Sequence, residues 1–155
     1  LDHAFLQAPH LIEVYAEWQK KFHLVLLEDG LAEDDWEGWA ELTKVLGKKL
    51  VLVGDDLFVT NTTRLKEGLA RGVANAALVK PNQIGTVTET LQFAKLAREA
   101  NYKIVASHRS GETADTFIVD LAVAIGADYI KAGAPSRGER VVKYNRLMEI
   151  EREIR

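Results

Sequence analysis

Five ionisable residues stand at the ends of short apolar runs that recur along the chain. They are Glu28, Asp55, Lys80, His108 and Lys131. Each run is rich in aliphatic and β-branched residues, so each is a candidate buried strand with the ionisable residue at its carboxyl end. The carboxyl ends of parallel strands meet at one edge of a barrel or sheet. The spacing therefore predicts two acids, two lysines and a histidine in one place.

The carboxylates of Glu28 and Asp55 are expected on neighbouring strand ends. Their oxygens are the hard ligands that Mg²⁺ prefers, and this ion takes few protein carboxylates while keeping positions for water and substrate. The alternative is that these acids, with Asp29 and Asp56 beside them, only form turns or cap helices. Glu28 and Asp55 are thus a candidate magnesium site, with that alternative open.

Lys80 closes the apolar run AALVK, and Lys131 occupies the equivalent place one unit beyond His108. A lysine held among apolar neighbours or crowded by other cations can act as a base near neutral pH. The alternative is a lysine whose stem lies on apolar surface while its ammonium stays in water. Cations gathered at one rim repel one another, and Glu28, Asp55 and a bound anion would balance them.

The stretch VASHRSGETADT, residues 105–116, follows one strand with an unusual set of anion ligands. The guanidinium of Arg109 matches phosphate or carboxylate oxygens with two parallel hydrogen bonds. Ser110 adds a hydroxyl, and the SGET run is expected to begin a helix whose free amides add donors. An ordinary polar loop is the alternative. Beside an acid pair, a phosphate pocket is the better interpretation.

A repeating strand–helix unit must position these residues. Strands are predicted at about 24–28, 50–54, 74–80, 102–107 and 127–131, and helices at about 33–46, 62–71, 86–100, 112–125 and 137–152. A further helix is expected at about 11–21. Continuous apolar strands joined by helices indicate a parallel sheet covered on both faces. An open doubly wound sheet and a (β/α)₈ barrel both fit, but ionisable groups at every strand end favour a partial barrel of about five units.

Composition excludes several classes of protein. The chain has 155 residues, 28% of them charged, and a net charge of −3, which gives no general attraction to nucleic acid or to an anionic membrane. No apolar run approaches the roughly 18 residues of a membrane span. Cysteine is absent, which fits a reducing cytoplasm. The only methionine is Met148, so the chain is expected to be a piece of a longer protein that forms one domain over residues 1–155.

From about Leu26 to Glu151 the chain resembles the carboxy-terminal barrel of the enolases, the phosphopyruvate hydratases of glycolysis, and most of all their archaeal and bacterial members. The matching motifs are EDGLAEDDWEGW, LVGDDLFVTN, LVKPNQIGTVTET, SHRSGET and IKAGAPSRGERVVKYN. The resemblance implies a carbon–oxygen lyase that dehydrates 2-phosphoglycerate to phosphoenolpyruvate with Mg²⁺. A base removes a carbon-bound proton, an ene-diolate-type intermediate forms, and hydroxide leaves.

The resemblance also implies a role for each matching residue. Lys80 would be the catalytic base, and Glu28 and Asp55 would hold the metal. The residues expected to bind the phosphorylated acid are Glu28, His108, Arg109, Ser110 and Lys131. Asp2 is a candidate third metal ligand, because it precedes Glu28 by one strand–helix period.

The resemblance leaves parts of the family pattern unmatched. Family members carry an amino-terminal capping domain and earlier barrel strands, which supply the acid that assists departure of hydroxide. Two hypotheses follow: a magnesium-dependent lyase, or a non-catalytic half-barrel that serves in folding, association or weak ligand binding. Unpaired strand edges near residues 24–28 and 127–131, together with an exposed apolar interior, also predict a homo-oligomer.

Overall fold

Five parallel strands, each followed by helix, form one curled sheet in the computed structural model, which describes residues 6–155. The strands are β1 (Leu26–Glu28), β2 (Val51–Gly54), β3 (Ala76–Val79), β4 (Lys103–Ser107) and β5 (Tyr129–Lys131). The helices are α1 (Ala8–Phe22), α2 (Trp36–Leu46), α3 (Thr62–Arg71), α4 (Pro81–Ile84), α5 (Val87–Glu99), α6 (Phe117–Ala124) and α7 (Gly138–Ile154). The strand order β1-β2-β3-β4-β5 confirms a partial barrel.

Helix starts follow from local capping groups. The Asn61 side chain accepts hydrogen bonds from the amides of Thr63 and Arg64 at the start of α3. Thr86 accepts from the amide of Glu89 at the start of α5, as expected of a capping box. Asp35 caps α2 in the same way. These short-range bonds satisfy amides that the helix itself leaves free, so the sequence predicts these boundaries closely.

The sheet buries both of its faces. Leu52, Ala77 and Ile104 point outward into the core shared with the helices. Residues of the opposite parity form a second, inner cluster, whose buried members are Val51, Val53, Ala76, Leu78 and Val105. The expectation of an exposed apolar interior is therefore wrong for β2, β3 and β4, because the sheet curls until residues of β1 and β5 touch across it.

Two helix predictions need correction. The SGET run does not begin a helix: α6 starts only at Phe117, and residues 108–116 form a loop. The one-turn helix α4, directly after β3, was not expected. Among residues 6–155, no helix is both long and apolar enough to cross a membrane.

Candidate active site

The inner face of the sheet continues into a charged rim at the carboxyl ends of the strands. Side chains alternate between the two faces of a strand, so Asp55 follows Val53 inward and Lys80 follows Leu78 inward. Glu28 and Lys131, the last residues of β1 and β5, are in register with Val53 and Ser107, so they lie on the same face. Four of the five predicted strand-end residues therefore share this rim.

Lys80 and Asp55 form a tight ion pair in the least exposed part of the rim. The ammonium of Lys80 contacts Oδ2 of Asp55, and the two side chains are only 13% and 8% exposed. Gln83 of α4 donates from Nε2 to Oδ1 of the same carboxylate at 3.3 Å. Both oxygens of Asp55 thus have protein partners, and the pair is shielded from water.

Glu28 and Lys131 form the second ion pair, between the two edge strands. Nζ of Lys131 lies 2.6 Å from Oε1 and 2.8 Å from Oε2 of Glu28. The side chain of Lys131 is 46% exposed, so water weakens this pair more than the first. Each of the two lysines of the rim thus has a carboxylate partner.

Asp29 stabilises the rim by accepting hydrogen bonds from backbone amides at the end of β2. It adopts a left-handed backbone conformation (φ 44°), and its carboxylate accepts hydrogen bonds from the amides of Asp55 at 2.9 Å and Asp56 at 3.0 Å. Burial raises the pKa of its carboxyl, although these two amides oppose the rise. From the sequence, Asp29 was a candidate only for a turn or a helix cap. Its position in the sequence does not predict hydrogen bonds to the amides of the next strand end.

The three carboxylates fit a divalent cation. One oxygen each from Glu28, Asp29 and Asp55 can be chosen so that all lie within 4.8 Å of one another. Carboxylate oxygens are the hard donors that Mg²⁺ prefers. Lys80 and Lys131 now neutralise two of these carboxylates, so a cation would replace ammonium groups as the counter-charge. Asp2, the candidate third ligand, lies outside the described residues.

The predicted phosphate ligands lie beside this rim, on the loop after β4. Arg109 and Ser110 are exposed, and Nη1 of Arg109 donates to Oδ1 of Asn82 at 3.2 Å. A cavity of about 190 Å³ opens here, and its walls include Asn82, Ser107, His108 and Arg109. Arg109 is thus joined to the segment after Lys80 through Asn82 rather than through the ion pairs of the rim.

His108 occupies a different position from the other strand-end residues. Strand β4 ends at Ser107, which is 2% exposed and lies on the inner face with Val105. His108 is the next residue: its amide donates to the backbone oxygen of Lys131 at 3.0 Å, and its Nδ1 contacts the guanidinium of Arg140. The strand thus ends one residue before His108, which lines the same cavity as Ser107.

Helix α7 supplies two more residues that sequence analysis did not select. Arg140 and Lys143 are 8% and 0% exposed, and both bind the loop after β4. They belong to the quoted motif ERVVKYN, so their position in that motif was the available signal. Composition alone could not have separated them from the exposed Arg137 and Arg152.

Comparisons with known proteins show the family of this chain. Residues 2–155 match the family model described as enolase, C-terminal TIM barrel domain. The chain is 59% identical over 153 residues to an enolase of a Nitratiruptor species, an alignment that covers 99% of this chain and 36% of that protein. It is 56% identical over 149 residues to an enolase of Helicobacter hepaticus (96% and 35%) and 53% identical over 154 residues to one of Helicobacter pylori (99% and 36%). The chain therefore spans about a third of the length of these relatives.

Proposed function

The chain belongs to the enolase family, and on that premise we propose that it carries the base and the anion-binding groups for dehydration of 2-phosphoglycerate to phosphoenolpyruvate. The observation that supports this most is the pairing of Lys80 with Asp55 and of Lys131 with Glu28 on one rim. Each ammonium–carboxylate pair has no net charge. The pairs can separate, so that the carboxylates receive a metal cation and the ammonium groups a multiply charged anion. Such a rim suits a phosphorylated carboxylic acid.

Lys80 is the proposed base. Once its ammonium has lost a proton to solvent, the amine would accept the proton from the carbon that bears the phosphate, while the carbon–oxygen bond at the neighbouring carbon breaks and hydroxide leaves with the bonding electrons. A carbon–carbon double bond forms between the two centres, and hydroxide takes up a proton from solvent as water. Lys131 would bind the substrate carboxylate, on which negative charge grows as the proton leaves.

Glu28, Asp55 and, from sequence, Asp2 would hold Mg²⁺. When bound, this ion supplies positive charge that offsets the charge developing on the substrate carboxylate. Asp29 would keep the Asp55 backbone in place through its two amide bonds. Arg109, Ser110 and His108 would bind the phosphoryl group; Arg109 and His108 line the neighbouring cavity, and Asn82 would orient the guanidinium of Arg109.

The metal site can be tested with a matched pair of variants. Asp55→Asn is expected to weaken Mg²⁺ binding to the full chain by more than about tenfold, because a neutral amide replaces a ligand charge. Asp56→Asn is the control, since Asp56 is the exposed neighbour in the same GDD motif. Isothermal titration with Mg²⁺, alone and with 2-phosphoglycerate, measures both. Equal affinities for the two variants would contradict the assignment.

A second candidate is a non-catalytic half-barrel that acts in folding, association or weak ligand binding. The buried inner cluster favours it, since this part of the barrel already has a core of its own. Metal-dependent binding of 2-phosphoglycerate, with no phosphoenolpyruvate detected by ultraviolet absorbance, would support this candidate.

A cytoplasmic location remains a prediction from the lack of cysteine.

We also expect the full chain to self-associate. Within the described residues, β1 and β5 each pair with a single strand, and Val25 beside β1 is 63% exposed. Unpaired edges of this kind invite pairing with another chain. Val25→Lys should shift the sedimentation profile toward monomer, whereas Val45→Lys on exposed helix surface should not. A strictly monomeric wild-type chain that unfolds cooperatively would contradict the expectation.

A further inference from the structure

The loop that carries His108, Arg109 and Ser110 is held from behind by one side chain of α7. The guanidinium of Arg140 donates to the backbone oxygen of Arg109 at 3.0 Å and to that of Ser110 at 2.7 Å. Its Nη1 also contacts Nδ1 of His108. Arg140 is only 8% exposed, so water competes weakly for these bonds. One planar donor group therefore spans three consecutive residues of the loop.

The contact with Arg140 determines which nitrogen of the His108 ring carries hydrogen. A guanidinium has only donors and does not lose its proton in proteins. Nδ1 of His108 must therefore be the acceptor, and in a neutral imidazole the hydrogen then resides on Nε2. His108 in this state offers one N–H donor and no positive charge.

Close packing keeps His108 and Arg140 together. Gly133, which follows β5, has a positive φ of 81°, and a Cβ added there would lie 3.0 Å from Cδ of Arg140 and 3.1 Å from Cε1 of His108. Glycine is the residue that permits both this backbone conformation and this approach. The histidine and the arginine are thus confined between α7 and the segment after β5.

We propose that Arg140 is a positioning residue that sets the path of the phosphate-binding loop and holds His108 as the tautomer protonated on Nε2. The proposal rests on the proposed function for its purpose, since it would prepare one neutral N–H donor and two correctly directed loop residues for a phosphorylated acid. Its structural content, the tautomer and the loop path, is measurable without any ligand.

The charges around His108 support the same protonation state. Burial lowers the pKa of the imidazole, and Arg140, Lys131 and Lys143 lower it further, while Glu112 opposes them. A lowered pKa favours the neutral ring at pH 7. Loss of the Arg140 charge is expected to raise the pKa of His108, because one of the cations that disfavour the imidazolium is gone.

The test uses ¹⁵N-histidine NMR of the full chain with three variants. Arg140→Met removes charge and donors, and Arg140→Lys keeps the charge but lacks the planar fork. Arg152→Met, at an exposed site on the same helix, is the control. The His108 signal is assigned with His108→Asn. In wild type and control we expect an unprotonated Nδ1 and a protonated Nε2 at pH 7, with slow exchange of the Arg109 amide, which donates to Oε1 of Glu112 at 3.2 Å within the held loop.

Both Arg140 variants should lose the single tautomer and show faster exchange of the Arg109 amide, because the loop that holds this amide against Glu112 loosens. Their dissociation constants for inorganic phosphate should rise about tenfold, the size of loss typical when a group that orients ligands is removed. The pKa of His108 should rise in Arg140→Met but not in Arg140→Lys. This comparison separates the effect of the Arg140 charge from that of its planar donor geometry. If Arg140→Met does not fold, Arg140→Lys decides.

Unchanged tautomer and loop exchange in a folded Arg140→Lys or Arg140→Met chain would overturn the proposal. The wild-type chain could show the expected His108 tautomer and loop amide exchange but bind neither phosphate nor 2-phosphoglycerate. That result would contradict the proposed function and leave the positioning role of Arg140 supported. Phosphate binding weakened in Arg140→Met alone, with Arg140→Lys like wild type in every readout, would show that only the charge matters and would also overturn it.

Discussion

Replacement of Lys80 by methionine is expected to lower the rate of phosphoenolpyruvate formation by about a thousandfold, the scale of a lost general base. Methionine retains the unbranched apolar stem in a site that is only 13% exposed. It removes the amine that would accept the carbon-bound proton. The measurement is the increase in phosphoenolpyruvate absorbance with 2-phosphoglycerate and Mg²⁺ supplied together.

The Lys80→Met variant should also reveal the competition between ammonium and metal. Asp55 loses its partner and remains a carboxylate of 8% exposure, so the free energy of unfolding should fall by about 3 kcal/mol without metal. Mg²⁺ should restore more stability to this variant than to wild type, because no ammonium has to be displaced. Thermal unfolding with and without Mg²⁺ measures the difference.

The control for Lys80 is Lys95→Met, which removes a lysine that is 76% exposed on α5. It should change neither turnover nor the response to Mg²⁺. Turnover in Lys80→Met at the wild-type rate would refute Lys80 as the base. A loss of stability that Mg²⁺ leaves untouched would refute the claim that the cation takes the place of the ammonium beside Asp55.

Replacement of Lys143 by methionine is expected to lower the free energy of unfolding by about 3 kcal/mol, the cost of breaking a buried ion pair by removing one partner. Lys143 is fully buried, and its ammonium lies 2.6 Å from Oε2 of Glu112. It also donates to the backbone oxygens of Thr113 at 3.0 Å and Glu139 at 2.9 Å. The variant leaves all three acceptors without this donor, and urea unfolding at pH 7 measures the loss.

The difference between wild type and Lys143→Met should depend on pH. Burial alone would raise the pKa of Glu112, but the Lys143 ammonium and the Arg109 amide outweigh it and hold the pKa below its usual 4.5. A carboxyl with a lowered pKa adds stability above its unfolded pKa and loses it as pH falls through the folded value. The stability gap should therefore be full above about pH 4.5 and shrink in more acidic solution.

A double-variant cycle provides the control. Adding Glu112→Gln to Lys143→Met should recover part of the lost stability, because no buried charge is then left unpaired. Glu112→Gln alone should flatten the acid dependence. A pH-independent loss in Lys143→Met, or full additivity of the two changes, would mean that the pair does not hold the loop.

The succession of strands and helices was predictable because its signals are local. Continuous apolar runs mark strands covered on both faces, and the caps at Asn61 and Thr86 act on amides two or three residues away. The parallel order follows from the repeated strand–helix unit, and the ionisable residue at each strand end favoured a barrel over an open sheet. The prediction of a helix at the SGET run was wrong for a related reason. Its polar residues are typical of a helix start, but backbone oxygens of this loop accept hydrogen bonds from α7 side chains about 30 positions later.

The sequence by itself determined the partial barrel, the family and the set of charged residues that end its strands. Tertiary structure alone decided how these residues combine. Glu28 forms an ion pair with Lys131, 103 positions later in the chain. Lys80 pairs with Asp55, and Arg140 of α7 contacts His108. Each of these contacts joins residues far apart in the chain and depends on the curl of the sheet and on the packing of α7 against the loop after β4. Such long-range geometry leaves no periodic mark in the sequence.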